Sequence, residues 1–279
     1  MEPRPRSFYV LSAFFALFLL FLYGPTLTIG ILSFQGPGGG LTFPMRGVSL
    51  YWFYDLFEDQ AVGDIWGSFR RSLILGLMVM VTTVVVSVMG GLAFRKKFPG
   101  STILFYLIVT ALVIPSILIS LGVGLLFSQT GMNVHWSTSG FGAQLTWTLP
   151  FGLLIMFAVF NRFDKSYEEA ARDQGATPWQ TIRFVVLPII APSLLGVALF
   201  GFTLSYDEFA RTLLTSGSRN TLPLEIYGMT TNVTTPVLYA LGTLTTVFSL
   251  VVIGIFMAIT FRSTRRRARA GSDAGKGMV

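Results

Sequence analysis

Glu168-Glu169-Ala170-Ala171-Arg172-Asp173-Gln174-Gly175, followed after nine residues by Val185-Val186-Leu187-Pro188, lies between two apolar runs of membrane length. Its polarity and spacing are not what a bilayer alone demands. Residues 161–190 read as two short helices joined by a turn. Asp164 or Ser166 suits the N-cap of the first, and Glu168 and Glu169 then fall in its first turn, where negative charge meets the positive end of the helix dipole. Ala170 and Ala171 add helix propensity with little bulk, so another surface can approach the backbone closely. Gly175 can take the left-handed conformation that ends a helix. Thr177-Pro178 starts a second helix, with threonine as N-cap and proline at the first position, where its missing N–H is no loss. Trp179, Ile182, Val185 and Val186 recur at helical spacing and form an apolar stripe. Leu187-Pro188 is expected to end this helix and Ala191-Pro192 to begin the next membrane span.

The chain around this stretch is 52% hydrophobic and 12% charged, with a mean hydropathy of +0.67. Soluble domains carry about twice that charge, roughly 25%. The composition is that of an integral membrane protein. Six apolar runs reach the ~20 residues that a bilayer helix requires: about Phe8–Leu32, Ser72–Phe94, Ser101–Phe127, Ala143–Phe160, Pro192–Leu214 and Pro236–Phe261. The expected architecture is an all-α membrane protein of six transmembrane helices. It forms one domain over 1–279, with a core of about 72–261, a helix-turn-helix loop at 162–190 between the fourth and fifth helices, and a basic tail at 262–279. The first run follows Arg4 and Arg6 as a signal peptide would, but it exceeds the roughly 7–15 residues of a signal core and no small-x-small pattern follows, so it is expected to persist as a helix.

No cysteine is present, which excludes disulfides, thiolate metal sites and cysteine catalysis. A net charge of +7 and a pI near 9.9 would suit nucleic-acid binding, but the distribution of the basic residues argues against such a partner. With both termini in the cytoplasm, that side receives Arg4, Arg6, Arg95, Lys96, Lys97, Arg162, Lys165, Arg172, Arg183, Arg262, Arg265, Arg266, Arg267, Arg269 and Lys276. Arg46, Arg70, Arg71, Arg211 and Arg219 remain on the other side. This asymmetry sets orientation in a membrane, and the basic tail reads as an anchor attracted to anionic lipid.

The outward loop at about Ser33–Arg71 opens with Gln35-Gly36-Pro37-Gly38-Gly39-Gly40, which does not form regular helix. Its later part, from Ser49 to Asp59, mixes aromatics and acids as an interfacial helix does. Pro115 predicts a kink in the third span. His135, alone in the loop Ser128–Gly142, is a poor metal ligand, and Asn232-Val233-Thr234 is read as a chance sequon. Asp207 and Glu208 are expected within the fifth span, roughly 22 Å beyond Pro192. Ionisable groups at such depth face a cavity or a partner. Two roles stay open: pairing with Arg211, i+4 and i+3 away, or contact with a cationic substrate.

The stretch from Glu169 to Pro188 resembles the EAA signature of ATP-binding-cassette (ABC) importer permeases, in which Glu-Ala-Ala, three residues, Gly, nine residues, an aliphatic, one residue and Leu-Pro follow in order. Tyr23-Gly24-Pro25, Leu32-Ser33-Phe34, Ser49-Leu50-Tyr51-Trp52-Phe53, Ser205-Tyr206-Asp207-Glu208-Phe209 and Leu222-Pro223-Leu224-Glu225-Ile226-Tyr227 look like the second permease of spermidine/putrescine importers. The common form of the fifth-helix motif in that group is closer to Ser-Leu-Asp-Asp. The resemblance implies a non-catalytic permease subunit of the bacterial cytoplasmic (inner) membrane. It also implies a homologous permease, two ATPase subunits that bind the ATP and magnesium, and an extracytoplasmic binding protein. Glu168, Glu169, Ala170, Ala171, Asp173, Gly175, Trp179, Leu187 and Pro188 would couple to the ATPase, and Asp207 and Glu208 would line the substrate path. The substrate implied is a polyamine, with another small organic solute such as an amino-acid derivative as the alternative.

Other classes fit less well. An ion-coupled secondary carrier predicts internal repeats that are not visible and leaves the loop unexplained. A membrane enzyme needs clustered nucleophile, base or metal ligands. The tail Gly271-Ser272-Asp273-Ala274-Gly275-Lys276-Gly277 lacks the spacing and the following Ser/Thr of a phosphate-binding loop, and it is expected to be a flexible end.

Overall fold

A computed structural model describes residues 5–58, 63–232 and 235–274. Helices dominate it, and the isolated bridge between Gln35 and Val48 is the β pairing among the described residues. Two compact units are distinguished, 1–64 with 226–250, and 65–225 with 251–279.

In the first unit, α1 (Arg6–Leu32) is apolar on every face and buries only its last residue, as a helix solvated by lipid should. Gln35, fully buried, organises the glycine-rich loop that follows. Its Nε2 donates to the Gly40 carbonyl at 3.1 Å and its Oε1 accepts the Arg46 N–H at 2.7 Å. The Tyr239 hydroxyl donates to the Leu41 carbonyl at 2.8 Å. The expected interfacial helix is α2 (Tyr51–Glu58), which buries Trp52 and Leu56. Val233 and Thr234 of the sequon lie outside the described residues.

The heart of the second unit is α3 (Ile65–Phe94), packed most extensively on α6 (Phe141–Asn161) and α9 (Leu187–Tyr206). Ser68, Ser72, Gly76, Thr83, Ser87 and Gly91 fall on its buried face. Apolar side chains gain little by leaving lipid for protein, so membrane helices associate through close backbone approach and van der Waals packing, which small residues permit. A Cβ on Gly91 would lie 2.8 Å from the Phe160 ring, and one on Gly76 3.1 Å from the Phe202 ring. Thr83 Oγ1 donates to Thr148 Oγ1 at 3.0 Å and joins α3 to α6. This stripe escaped the hydropathy reading because small residues neither raise nor lower an apolar average, yet its recurrence at four and seven residues was a legible signal.

Among the described residues, five helices are long and apolar enough to cross a membrane. The third expected span is divided into α4 (Ser101–Thr110) and α5 (Ser116–Gln129), so Pro115 marks an interruption and not merely a kink. The helix α3 begins at Ile65, before Ser72, and Arg71, inside it, donates from Nε to the Asn220 carbonyl at 2.6 Å. Two boundaries around the fifth span also differ. Leu187-Pro188 does not end a helix, since helical turns run unbroken through α8 (Pro178–Thr181), a widened turn at Ile182–Val186, and α9. At the other end, α9 stops at Tyr206 and not near Leu214. The Glu208 carboxylate accepts the backbone N–H of Arg211 at 3.0 Å and starts a series of turns instead of prolonging the helix. After α10 (Leu222–Asn232), α11 (Val237–Ala274) extends helix through Gly271–Ala274, where a flexible end was expected.

At Gly152 a Cβ would collide with Ser87 Oγ, whereas one at Gly196 would meet nothing within 4 Å. Gly152→Val is expected to cost about 2 kcal/mol through overpacking, and Gly196→Ala to stay within about 1 kcal/mol of the parent. Thermal unfolding in detergent measures both, and equal midpoints for the two variants would contradict the packing described.

Candidate functional site

The signature stretch folds into a two-helix bracket. Its first helix, α7 (Ser166–Asp173), has Lys165 as cap residue, and the Lys165 carbonyl accepts the N–H groups of Glu168 and Glu169 at 2.9 and 3.1 Å. Neither Asp164 nor Ser166 occupies the cap itself. Asp164 assists by accepting the Ser166 N–H at 2.9 Å, a bond that holds its carboxyl below the usual carboxylate range. The contribution of this group to stability is therefore present at neutral pH and is lost as pH falls through its lowered pKa.

The turn between the two helices follows from glycine. Gly175 has φ +80°, its N–H donates to the Arg172 carbonyl at 2.8 Å, and the Ala176 N–H donates to the Ala171 carbonyl at 3.0 Å. These are the paired bonds of a Schellman cap. The chain then enters α8 through a reciprocal capping box. Thr177 Oγ1 accepts the Gln180 N–H at 3.3 Å, Gln180 Oε1 accepts the Thr177 N–H at 2.7 Å, and Pro178 stands in the first turn.

Burial sorts the candidate residues into two groups. Glu168 turns inward and binds Arg95, just beyond α3, with Nη1 2.5 Å from Oε1, while Arg172 approaches its other oxygen at 3.6 Å. The Arg95 guanidinium lies 5.4 Å from the ring centroids of both Phe160 and Phe163. Leu187 packs on the core of Met156, Phe160, Val186, Ile190 and Val197. Glu168 and Leu187 thus brace the bracket from within. Glu169, Ala170, Asp173, Gly175 and Pro188 are exposed, and Ala171 is half-buried. Trp179 is 65% exposed, a large aromatic surface outside the most apolar part of the span. Arg95 was read from the sequence only as part of a turn, and nothing in its local spacing marked it as the partner of a residue 73 positions away. A cavity of about 360 Å³ between α7, α8 and the end of α3 is lined by Arg95, Lys96, Lys165, Glu168, Glu169 and Arg172, among others.

At the far end of α9 the acids separate. Glu208 pairs with Arg211, 3.5 Å between Oε1 and Nη1, and only 2% of Arg211 is exposed. That arginine also donates to Ser116 Oγ at 2.8 Å and to Thr146 Oγ1 at 3.3 Å, and its guanidinium stands 4.4 Å from the Trp147 ring centroid. It ties the start of α5 to α6. Asp207 is exposed, with no hydrogen bond or ion pair to its side chain among the described residues. Both acids lie beyond α9 and not within it, the position corrected by the early end of that helix. His135 is structural, since its Nδ1 accepts the Ser137 N–H at 3.3 Å at the start of the turn before α6. Among the described residues no group of three or more His, Cys, Asp or Glu is placed to hold a metal ion.

What this geometry offers is an exposed two-helix face joined by unbroken helical turns to a helix of membrane length. The chain belongs to the family of binding-protein-dependent transport system inner membrane components, whose pattern matches residues 84–267. It is a transport component of the inner membrane and not an enzyme. It is 27% identical over 255 residues to the spermidine/putrescine transport system permease protein PotC of Haemophilus influenzae, covering 91% of this chain and 97% of that protein. It is 27% identical over 232 residues to the putrescine transport system permease protein PotI of Escherichia coli, covering 80% and 81%. The fold is similar to that in a crystal structure of a bacterial ABC transporter involved in alginate import, with TM-score 0.68 and 18% identity over 94% of this chain and 99% of that one. It is also similar to the MetNI methionine ABC transporter, with TM-score 0.54 and 17% identity over 71% and 94%.

Glu168→Ala is expected to lower stability by about 2 kcal/mol, because it leaves the half-buried Arg95 without its charged acceptor. The exchanged pair Arg95→Glu with Glu168→Arg should recover part of that loss. Chemical unfolding in detergent measures the cycle, and simple additivity of the two single losses would remove the pair from the account.

Proposed function

We propose that the chain is the membrane-spanning permease subunit of an ATP-driven importer that carries a polyamine such as spermidine or putrescine across a bacterial cytoplasmic membrane. The observation that carries this reading is the exposed face of α7 and α8 built onto a helix continuous with a span. In this reading a separate ATPase grips Glu169, Ala170, Asp173 and Trp179, and Gly175 sets the angle between the two gripped helices. Two such ATPase subunits bind the ATP and magnesium. Their closure pulls the bracket, and α9 turns with it, so binding energy becomes rigid-body motion of packed helices. A homologous permease completes the passage, and an extracytoplasmic binding protein delivers the solute. Both termini and the bracket face the cytoplasm, which accords with the excess of Lys and Arg on that side.

The polyamine assignment rests on two supports. The relatives that align over most of this chain are named for spermidine and putrescine. The pairing of Glu208 with Arg211 leaves Asp207 as an exposed carboxylate without a charged partner among the described residues, a chemistry suited to an ammonium group. Reconstitution of the complete transporter in proteoliposomes tests the reading. Glu169→Lys and Gly175→Pro are expected to abolish spermidine uptake while the chain remains inserted in the membrane. Normal uptake by both would refute the grip. Asp207→Asn should raise the KM for spermidine about fivefold, the effect of one partly exposed charge contact of ~1 kcal/mol, with little change in thermal midpoint. A lower midpoint with unchanged KM would assign Asp207 a structural role.

A further inference from the structure

A cavity of the second unit opens beside the Arg95 corner, at the end of α3 and α6. It measures about 720 Å³ and is walled by Phe94, Phe105, Phe157 and Phe163, with Arg95 and Lys165 among its lining residues. Its aromatic wall is continuous, with ring centroids 4.7 Å apart for Phe94 and Phe157 and 5.9 Å apart for Phe105 and Phe157. The apolar run of α3 ends at Phe94 and that of α6 at Phe160. The groove therefore sits where hydrocarbon gives way to headgroups.

Its charge is one-sided. Among the described residues no acid lines this cavity; Glu168 is committed to Arg95 and Arg172 and Asp164 to the Ser166 N–H, while Glu169 lines the neighbouring one. Lys165 is exposed and has no ion-pair partner among the described residues, and the exposed Lys96 and Lys97 follow Arg95 in the chain. A groove with an apolar wall and a cationic rim complements a molecule that is apolar along its length and anionic at one end. Basic pockets between membrane helices hold anionic headgroups on this principle. A zwitterionic lipid would fill the wall equally well but would gain little from the rim.

We propose that this groove binds an anionic phospholipid, with an acyl chain against the phenylalanine rings and the phosphate at Lys165 and Arg95. The lipid would then touch the guanidinium that holds the bracket through Glu168.

The assembled transporter, placed in nanodiscs of equal parts phosphatidylglycerol and phosphatidylcholine and released into mild detergent, is examined by native mass spectrometry for retained lipid. Phosphatidylglycerol should be retained about fivefold over phosphatidylcholine, the discrimination that one basic side chain near a membrane surface supplies. Excess inorganic phosphate should not displace it. Lys165→Gln should bring the two lipids near parity, and Ala158→Phe, which fills the groove from α6, should remove both. Equal retention by the parent, or a preference unchanged in Lys165→Gln, overturns the proposal. So does a photoreactive residue at position 158 that crosslinks to a protein chain instead of lipid. Should Ala158→Phe fail to assemble, the Lys165→Gln comparison decides alone.

Discussion

Pro188 has no backbone N–H to give, and its ring crowds the carbonyl four residues back, so a regular helix would kink or break there. The chain avoids this by widening the preceding turn. The Leu187 N–H reaches the Ile182 carbonyl, five residues back, which loosens the helix where the proline ring must fit. With that accommodation, helical structure passes from Pro178 to Tyr206 as one rod of 29 residues, roughly 43 Å long. Had Pro188 ended the helix, the bracket would hang from the span by a flexible joint, and a pull on it would be absorbed in bending. The mechanical role assigned to this region depends on that widened turn and on the helix continuing past Pro192.

A rod also needs a fixed bearing. Glu168 and Arg95 supply one by joining α7 to the segment that follows α3, in a corner walled by Phe160 and Phe163. The bracket is thus connected to the helical heart three times, covalently through α6 and α9 and electrostatically through Arg95. Small residues along α3 let it lie close to both α6 and α9, so displacement of one helix is felt by the others. At the opposite end of the rod, Glu208 is held by Arg211 while Asp207 stays exposed, so two adjacent acids stand in different surroundings.

Much of this was legible in the sequence. Thr177-Pro178 and Gly175 announced their caps because capping is local chemistry, complete within three or four residues. The apolar runs declared the spans because hydrocarbon thickness sets their length. What was not legible depended on distant partners. Leu187-Pro188 reads locally as a stop, and only packing of Val186 and Ile190 against Met156 and Phe160 makes the widened turn worth forming. The end of α9 at Tyr206 depends on the Glu208 carboxylate and the burial of Arg211 among Ser116, Thr146 and Trp147, residues far away in the chain. Hydropathy averages carry no trace of such pairings.

The continuity of the rod is open to direct measurement, and the absence of cysteine from the chain makes paired labelling straightforward. Spin labels at Gln180 and Phe200, both exposed, should stand roughly 30 Å apart at helical rise. In the assembled transporter the account predicts one narrow distance distribution, the same without nucleotide and with the ATPase trapped in its closed state. A distribution that broadens or moves by more than a few ångströms between the two states would mean that the helix bends between the labels, at Pro188 or Pro192, and the bracket would not drive the span as a lever.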